Sequence, residues 1–183
     1  MERDGPATGP LDRRLVALTD DVRADEAAAE RRRRGALGRQ AAEEGTLAGT
    51  LVDLAERGAD LSLTTGPGRT VRGHVVALGH DHVVVEAADG SAVHVALHAI
   101  SLVQVAPGST ATSGDRVVAR RRSLSSVLAD LHAQQRPVLV QTATGDTVAG
   151  SLHAVGVDVV AIGTPTGRVV YVAQAAITEV TAT

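Results

Sequence analysis

No cysteine occurs in this chain, so disulfide staples and thiolate metal sites are excluded, and what remains to stabilise a fold is burial alone. Tryptophan and phenylalanine are missing as well, and Tyr171 is the single aromatic residue. The cores must therefore be built from Val, Leu, Ile and Ala, with almost no flat surface on which a nucleobase could stack. Lysine is absent too: all 18 basic residues are Arg, a bias that fits a GC-rich genome before it fits phosphate recognition. A formal net charge of -3 removes the strongest general argument for nucleic-acid binding. No apolar run has the length of a signal peptide or a membrane span, which gives the expectation of a cytoplasmic protein with no membrane partner.

What is present is a duplication. Displacing the sequence by 77 residues aligns Leu47–Val103 with Leu124–Val180 without a gap, and 20 of the 57 positions are identical. In both copies a capping residue, Thr46 or Ser123, precedes a leucine stripe, Leu47, Leu51 and Leu54 or Leu124, Leu128 and Leu131. Each stripe predicts a short helix. Val-, Leu- and Thr-rich runs follow, divided by turn residues, and predict five strands per copy. The first set is expected at 61–65, 70–78, 82–87, 91–97 and 100–105, and the second at 138–143, 147–155, 158–163, 168–173 and 177–181. Five of the shared positions are turn and bend positions: Gly68 with Gly145, Gly73 with Gly150, Gly79 with Gly156, Asp81 with Asp158, and Gly90 with Gly167.

Ahead of the repeats, residues 1–10 read as a disordered tail. Residues 11–44 read as a charged helical segment whose apolar face is Leu11, Leu15, Leu18 and Val22. Residues 45–105 and 123–183 are the two modules, separated at 106–122 by a flexible linker that ends in the triplet Arg120, Arg121 and Arg122. Modules of roughly 60 residues are marginal alone, so each is expected to pack against its twin, the N-terminal helix or another chain.

A helix followed by five bent strands, with glycine in the second strand and Asp opening the third, resembles the Sm-like fold. The segment His98-Ala99-Ile100-Ser101 resembles the last Sm motif of the Hfq family, with Leu97 where that family has Lys and Ala96 at its aromatic position. The second copy retains Ala176 and Ile177 and has Ala175 in place of the histidine. Gln135-Arg136-Pro137-Val138 resembles the family's entry into the first strand. The resemblance implies a mainly β protein with a helical N-terminus and two tandem five-stranded Sm-like antiparallel barrels, each preceded by a short helix. It implies single-stranded RNA as a ligand class, although the base-stacking position is His82 in one copy and Val159 in the other. The layout is also similar to an uncharacterised actinobacterial family sometimes described as transcriptional regulators. No helix-turn-helix supports that description here.

Five of the seven histidines, His74, His80, His82, His94 and His98, belong to the first copy, and the second has Ser151, Val157, Val159, Tyr171 and Ala175 at those positions. The fold does not require them. No spacing forces three of them to converge on a metal, and solvent-facing strand histidines are expected. The runs Arg31 to Arg34 and Arg120 to Arg122 are the electropositive candidates, the first balanced by Asp25, Glu26 and Glu30. Arg116, Arg120, Arg121, Arg122 and His98 form the candidate RNA site. Gly-x-Ser-x-Gly, phosphate-loop and His-Glu-x-x-His patterns are all missing, so neither an enzyme nor a cofactor or metal protein is expected. Two functions follow as expectations: a non-catalytic assembly module that self-associates through barrel edges or the Leu11/Leu15/Leu18/Val22 face, or an RNA-binding protein of RNA metabolism or post-transcriptional regulation.

Overall fold

A computed structural model describes residue 30, residues 45–66 and 68–107, the backbone of 118–119, and residues 122–183. Of residues 1–44 only Glu30, which is helical, is described, so the tail, the apolar face and the first arginine run lie outside the described residues. Residues 46–183 form one unit.

The two helices begin where the caps require. Helix α1, Leu47–Glu56, starts behind Thr46, whose side chain accepts from the amide of Gly49; helix α2, Leu124–Ala133, starts behind Ser123, which accepts from Ser126. After α1 the chain turns at Gly58, in the left-handed region at φ 59°. At the matching place after α2 stands Gln135, the one described non-glycine residue with positive φ, at 52°.

The strands fall within a residue of the expected bounds: β1 Asp60–Thr65, β2 Arg69–Leu78, β3 His82–Glu86, β4 Ala92–Ala96 and β5 Ile100–Val105 in the first half. In the second half they are β7 Pro137–Thr142, β8 Thr147–Val155, β9 Val159–Gly163, β10 Val169–Ala173 and β11 Ile177–Ala182. Inward positions alternate with less buried ones, as in β1, where Leu61, Leu63 and Thr65 are buried and Ser62 and Thr64 half-buried. A strand of two residues, β6 (Val118–Ala119), lies within the expected linker and pairs in parallel with Ala77 and Leu78 of β2.

Pairing corrects the expected architecture. The ten main strands form a single antiparallel sheet in the order β10-β9-β8-β7-β11-β4-β3-β2-β1-β5, which does not close, and there are no two separate five-stranded barrels. The reason is the occupancy of β4. Its outer edge pairs with β11 from the second half, through Val93 with Thr181, His94 with Val180 and Val95 with Glu179, so it has no edge left for β5 of its own half. Within each half the order is the same, fifth strand, first, second, third, fourth.

Each half bends its sheet over its own helix. A Cβ at Gly73 would collide with the backbone carbonyl of Glu86, and one at Gly150 with the carbonyl of Gly163, so glycine lets the second strand cross close over the third in both halves. The first core gathers Leu51, Leu63, Val83, Val85 and Val95. The second gathers Leu128, Val140, Val160, Ile162 and Val180, and it also takes in Ala96 from the first half.

Candidate functional site

The joint between the halves is the most distinctive feature of the described unit. Beyond the β4·β11 ladder, three contacts lock it. Asp81, opening β3, accepts a 2.7 Å hydrogen bond at its carboxylate from the amide of Leu124, so the first half caps the helix of the second. Next to it the amide of His80 donates to the carbonyl of Arg122 at 2.9 Å. On the other side of the ladder the buried carboxylate of Glu179 accepts from Thr65 at 2.5 Å and from Arg69 at 2.7 Å.

Helix α2 thereby covers a face of the first half. A cavity of about 370 Å³ remains beneath it, lined among others by His82, His94, Arg122, Asp130 and Gln134. His82 is buried, with Nδ1 3.1 Å from Asp81, and its ring lies 5.4 Å from that of His94. The Nδ1 of His94 is buried without a partner. Burial, with His82 and then Arg122 nearby, pulls the pKa of His94 down to about 4, so it is neutral at pH 7. The expectation of solvent-facing histidines holds for His74, His80 and His98, whereas His82 and His94 lie under α2. Sequence periodicity puts a residue on a face; it does not say which helix will cover that face.

Of the candidate RNA residues, Arg116, Arg120 and Arg121 lie outside the described residues. Arg122 is ion-paired with Asp130 of α2. His98 is exposed in the short 3-10 turn Leu97–Ala99 and does not line the cavity that holds Arg122. No group of three or more His, Asp or Glu side chains suited to a metal occurs among the described residues. No helix among them is long and apolar enough to cross a membrane.

Two larger clefts sit at equivalent places in the two halves. The first, about 740 Å³, is lined by Asp60, Ser62, Arg72, His74 and Glu86. The second, about 610 Å³, has Pro137, Ala149, Ser151 and Gly163 where the first has Asp60, Arg72, His74 and Glu86. Asp60, His74 and Glu86 stand directly opposite one another across β1, β2 and β3, an alignment that follows from register and was not legible in the linear sequence.

The two ends of the sheet repeat the halves of the joint. Among the described residues, strand β10, the counterpart of β4, pairs only with β9, and β5, the counterpart of β11, pairs only with β1. No family model matches the chain, and no curated protein matches it in sequence.

Proposed function

We propose that this protein is a non-catalytic interaction and assembly module that binds other polypeptide through the two open edges of its sheet. The observation that carries the reading is the pairing of β4 with β11, a joint whose counterparts at the two ends of the same sheet are unpaired among the described residues. An unpaired edge offers a row of backbone donors and acceptors, and such an edge is normally shielded or used. Here both edges carry apolar side chains: Leu102 and Val105 on β5, and Val169 and Tyr171 on β10, are all exposed. No lysine blocks them.

The kinship with Sm-like proteins suggested by His98-Ala99-Ile100-Ser101 is part of the proposal, and edge pairing is the property it lends. RNA binding is the weaker reading, because the one described arginine of the candidate site, Arg122, is neutralised by Asp130.

Hydrogen exchange on the full chain tests the module reading. Backbone amides of β5 and β10 are expected to gain protection when a partner is present, in the purified protein at high concentration or after addition of cell extract. Edges that stay unprotected in both settings would overturn it.

A further inference from the structure

The joint encloses a space that neither half has alone. Strands β2, β3 and β4 of the first half make the floor of the chamber of about 370 Å³, and helix α2 of the second half makes its roof through Val127, Asp130, Leu131 and Gln134. At the matching place on the second half Val159 and Tyr171 are 37 % and 74 % exposed, with no such roof among the described residues. His82 and His94, whose positions those two residues occupy, are found only where the roof exists. A chamber of this volume suits a small organic molecule and excludes a macromolecule.

The polar groups of the chamber have one nitrogen each to spare. Nδ1 of His82 lies 3.1 Å from the carboxylate of Asp81, which fixes a proton there and leaves Nε2 as an acceptor. Nδ1 of His94 is buried without a partner; an orphaned N–H is the rarer of the two states, so the proton of this ring sits on Nε2, a donor. Neither Nε2 has a hydrogen bond among the described residues, and neither is buried, so both remain accessible on side chains that line the chamber. The two rings are 5.4 Å apart. The other charged groups lining the chamber among the described residues, Arg122 and Asp130, are ion-paired with each other. Around these groups the walls are aliphatic, with Leu78 and Val84 on the floor and Val127 and Leu131 on the roof.

We propose that the chamber is a binding site for a small monocarboxylic acid with an apolar tail, its carboxylate held between the Nε2 atoms of His82 and His94 and its tail against Val84, Val127 and Leu131. The carboxylate accepts from Nε2–H of His94 directly. For a second hydrogen bond one proton is taken up from solvent at Nε2 of His82, beside the Asp81 carboxylate, so the acid binds together with a proton and the chamber stays neutral overall. Burial first, and then the positive potential of His82 and Arg122, pull the pKa of His94 down to about 4; that same potential attracts a carboxylate. Because floor and roof come from different halves, an occupied chamber also ties the joint together and raises the unfolding temperature.

Titration calorimetry of the full-length chain with hexanoate and with benzoate, in buffers of different ionisation heat, reads affinity and proton uptake together. At pH 6 the dissociation constant should be about 0.1 to 1 mM, within reach of molecules of this size, with uptake of about one proton for each acid bound. Binding should weaken by about threefold or more at pH 7.5, because the proton that accompanies the acid becomes scarcer. Hexanamide, of the same shape without the charge, should bind about tenfold more weakly. His82→Gln should bind hexanoate without proton uptake or pH dependence, and Val127→Phe, which fills the chamber from the roof, should remove binding altogether. The comparison of acid with amide in the unaltered chain decides the matter even where a variant fails to fold. No saturation by either acid, hexanamide binding as tightly as hexanoate, binding without proton uptake, or unchanged affinity in Val127→Phe would each overturn the site. The chamber stands apart from the open sheet edges, so such a failure leaves the edge-binding reading untouched.

Discussion

Glu179, in the last strand of the chain, holds Arg69 of the first half at 2.7 Å across 110 residues of sequence, with its own side chain 2 % exposed and that of Arg69 50 % exposed. A carboxylate removed from water needs its partners, and it has two here, the guanidinium and the hydroxyl of Thr65. The pair fastens the β1–β2 end of one half to the final strand of the other.

Arg69→Ala should destabilise the chain by about 2 kcal/mol, less than a fully buried pair would lose because Arg69 is half in solvent. Glu179→Gln, which keeps a hydrogen-bonding group and removes the charge, should cost about 1 kcal/mol. Urea unfolding of both variants checks the order; equal stability of wild type and Arg69→Ala would show that the ion pair contributes nothing.

Acid should weaken the fold through His94. Its pKa is about 4 in the folded chain, held down first by burial, and about 6.5 when unfolded, so between these values the unfolded chain binds the extra proton. Stability from this group is complete above pH 6.5 and falls as the pH drops toward 4, by about 2 to 3 kcal/mol in all. The difference in unfolding free energy between pH 7 and pH 4.5, compared in wild type and His94→Leu, isolates it: the variant should lose distinctly less on acidification.

Gln135 occupies a left-handed position that its counterpart Gly58 fills without strain. Gln135→Gly should raise stability by about 0.5 to 1 kcal/mol, since the left-handed cost for a side-chain-bearing residue exceeds the added freedom of the unfolded chain. A fall in melting temperature would contradict this account of the α2 exit.

Gly73→Ala and Gly150→Ala should each cost more than about 2 kcal/mol, because the new methyl meets a backbone carbonyl that no rotamer change can move. Thermal unfolding measures it. Ala at Gly90, where nothing lies within 4 Å of an added Cβ, meets only the local left-handed strain at φ 78° and should cost about 1 kcal/mol.

Asp81→Ala should lose about 1 to 2 kcal/mol with the cap on Leu124, whereas Asp158→Ala should be nearly neutral in the dilute chain. Denaturant titration at low protein concentration separates them.

The sequence by itself determined the elements. Thr46 and Ser123 announce helices because a hydroxyl before an apolar stripe satisfies an amide that the helix leaves free, and both caps are made. Alternation located the main strands, and repeated glycines located the turns, because side-chain period and backbone conformation are local properties. The two-residue β6 carried no pattern to find. Only the tertiary structure decided which edges meet. A strand shows which face is apolar but carries the same donors and acceptors on both edges, so nothing in β4 distinguishes a partner 77 residues nearer from β11. That choice turned two expected barrels into one open sheet, put His82 and His94 under a helix, and left Tyr171 bare at the position matching His94.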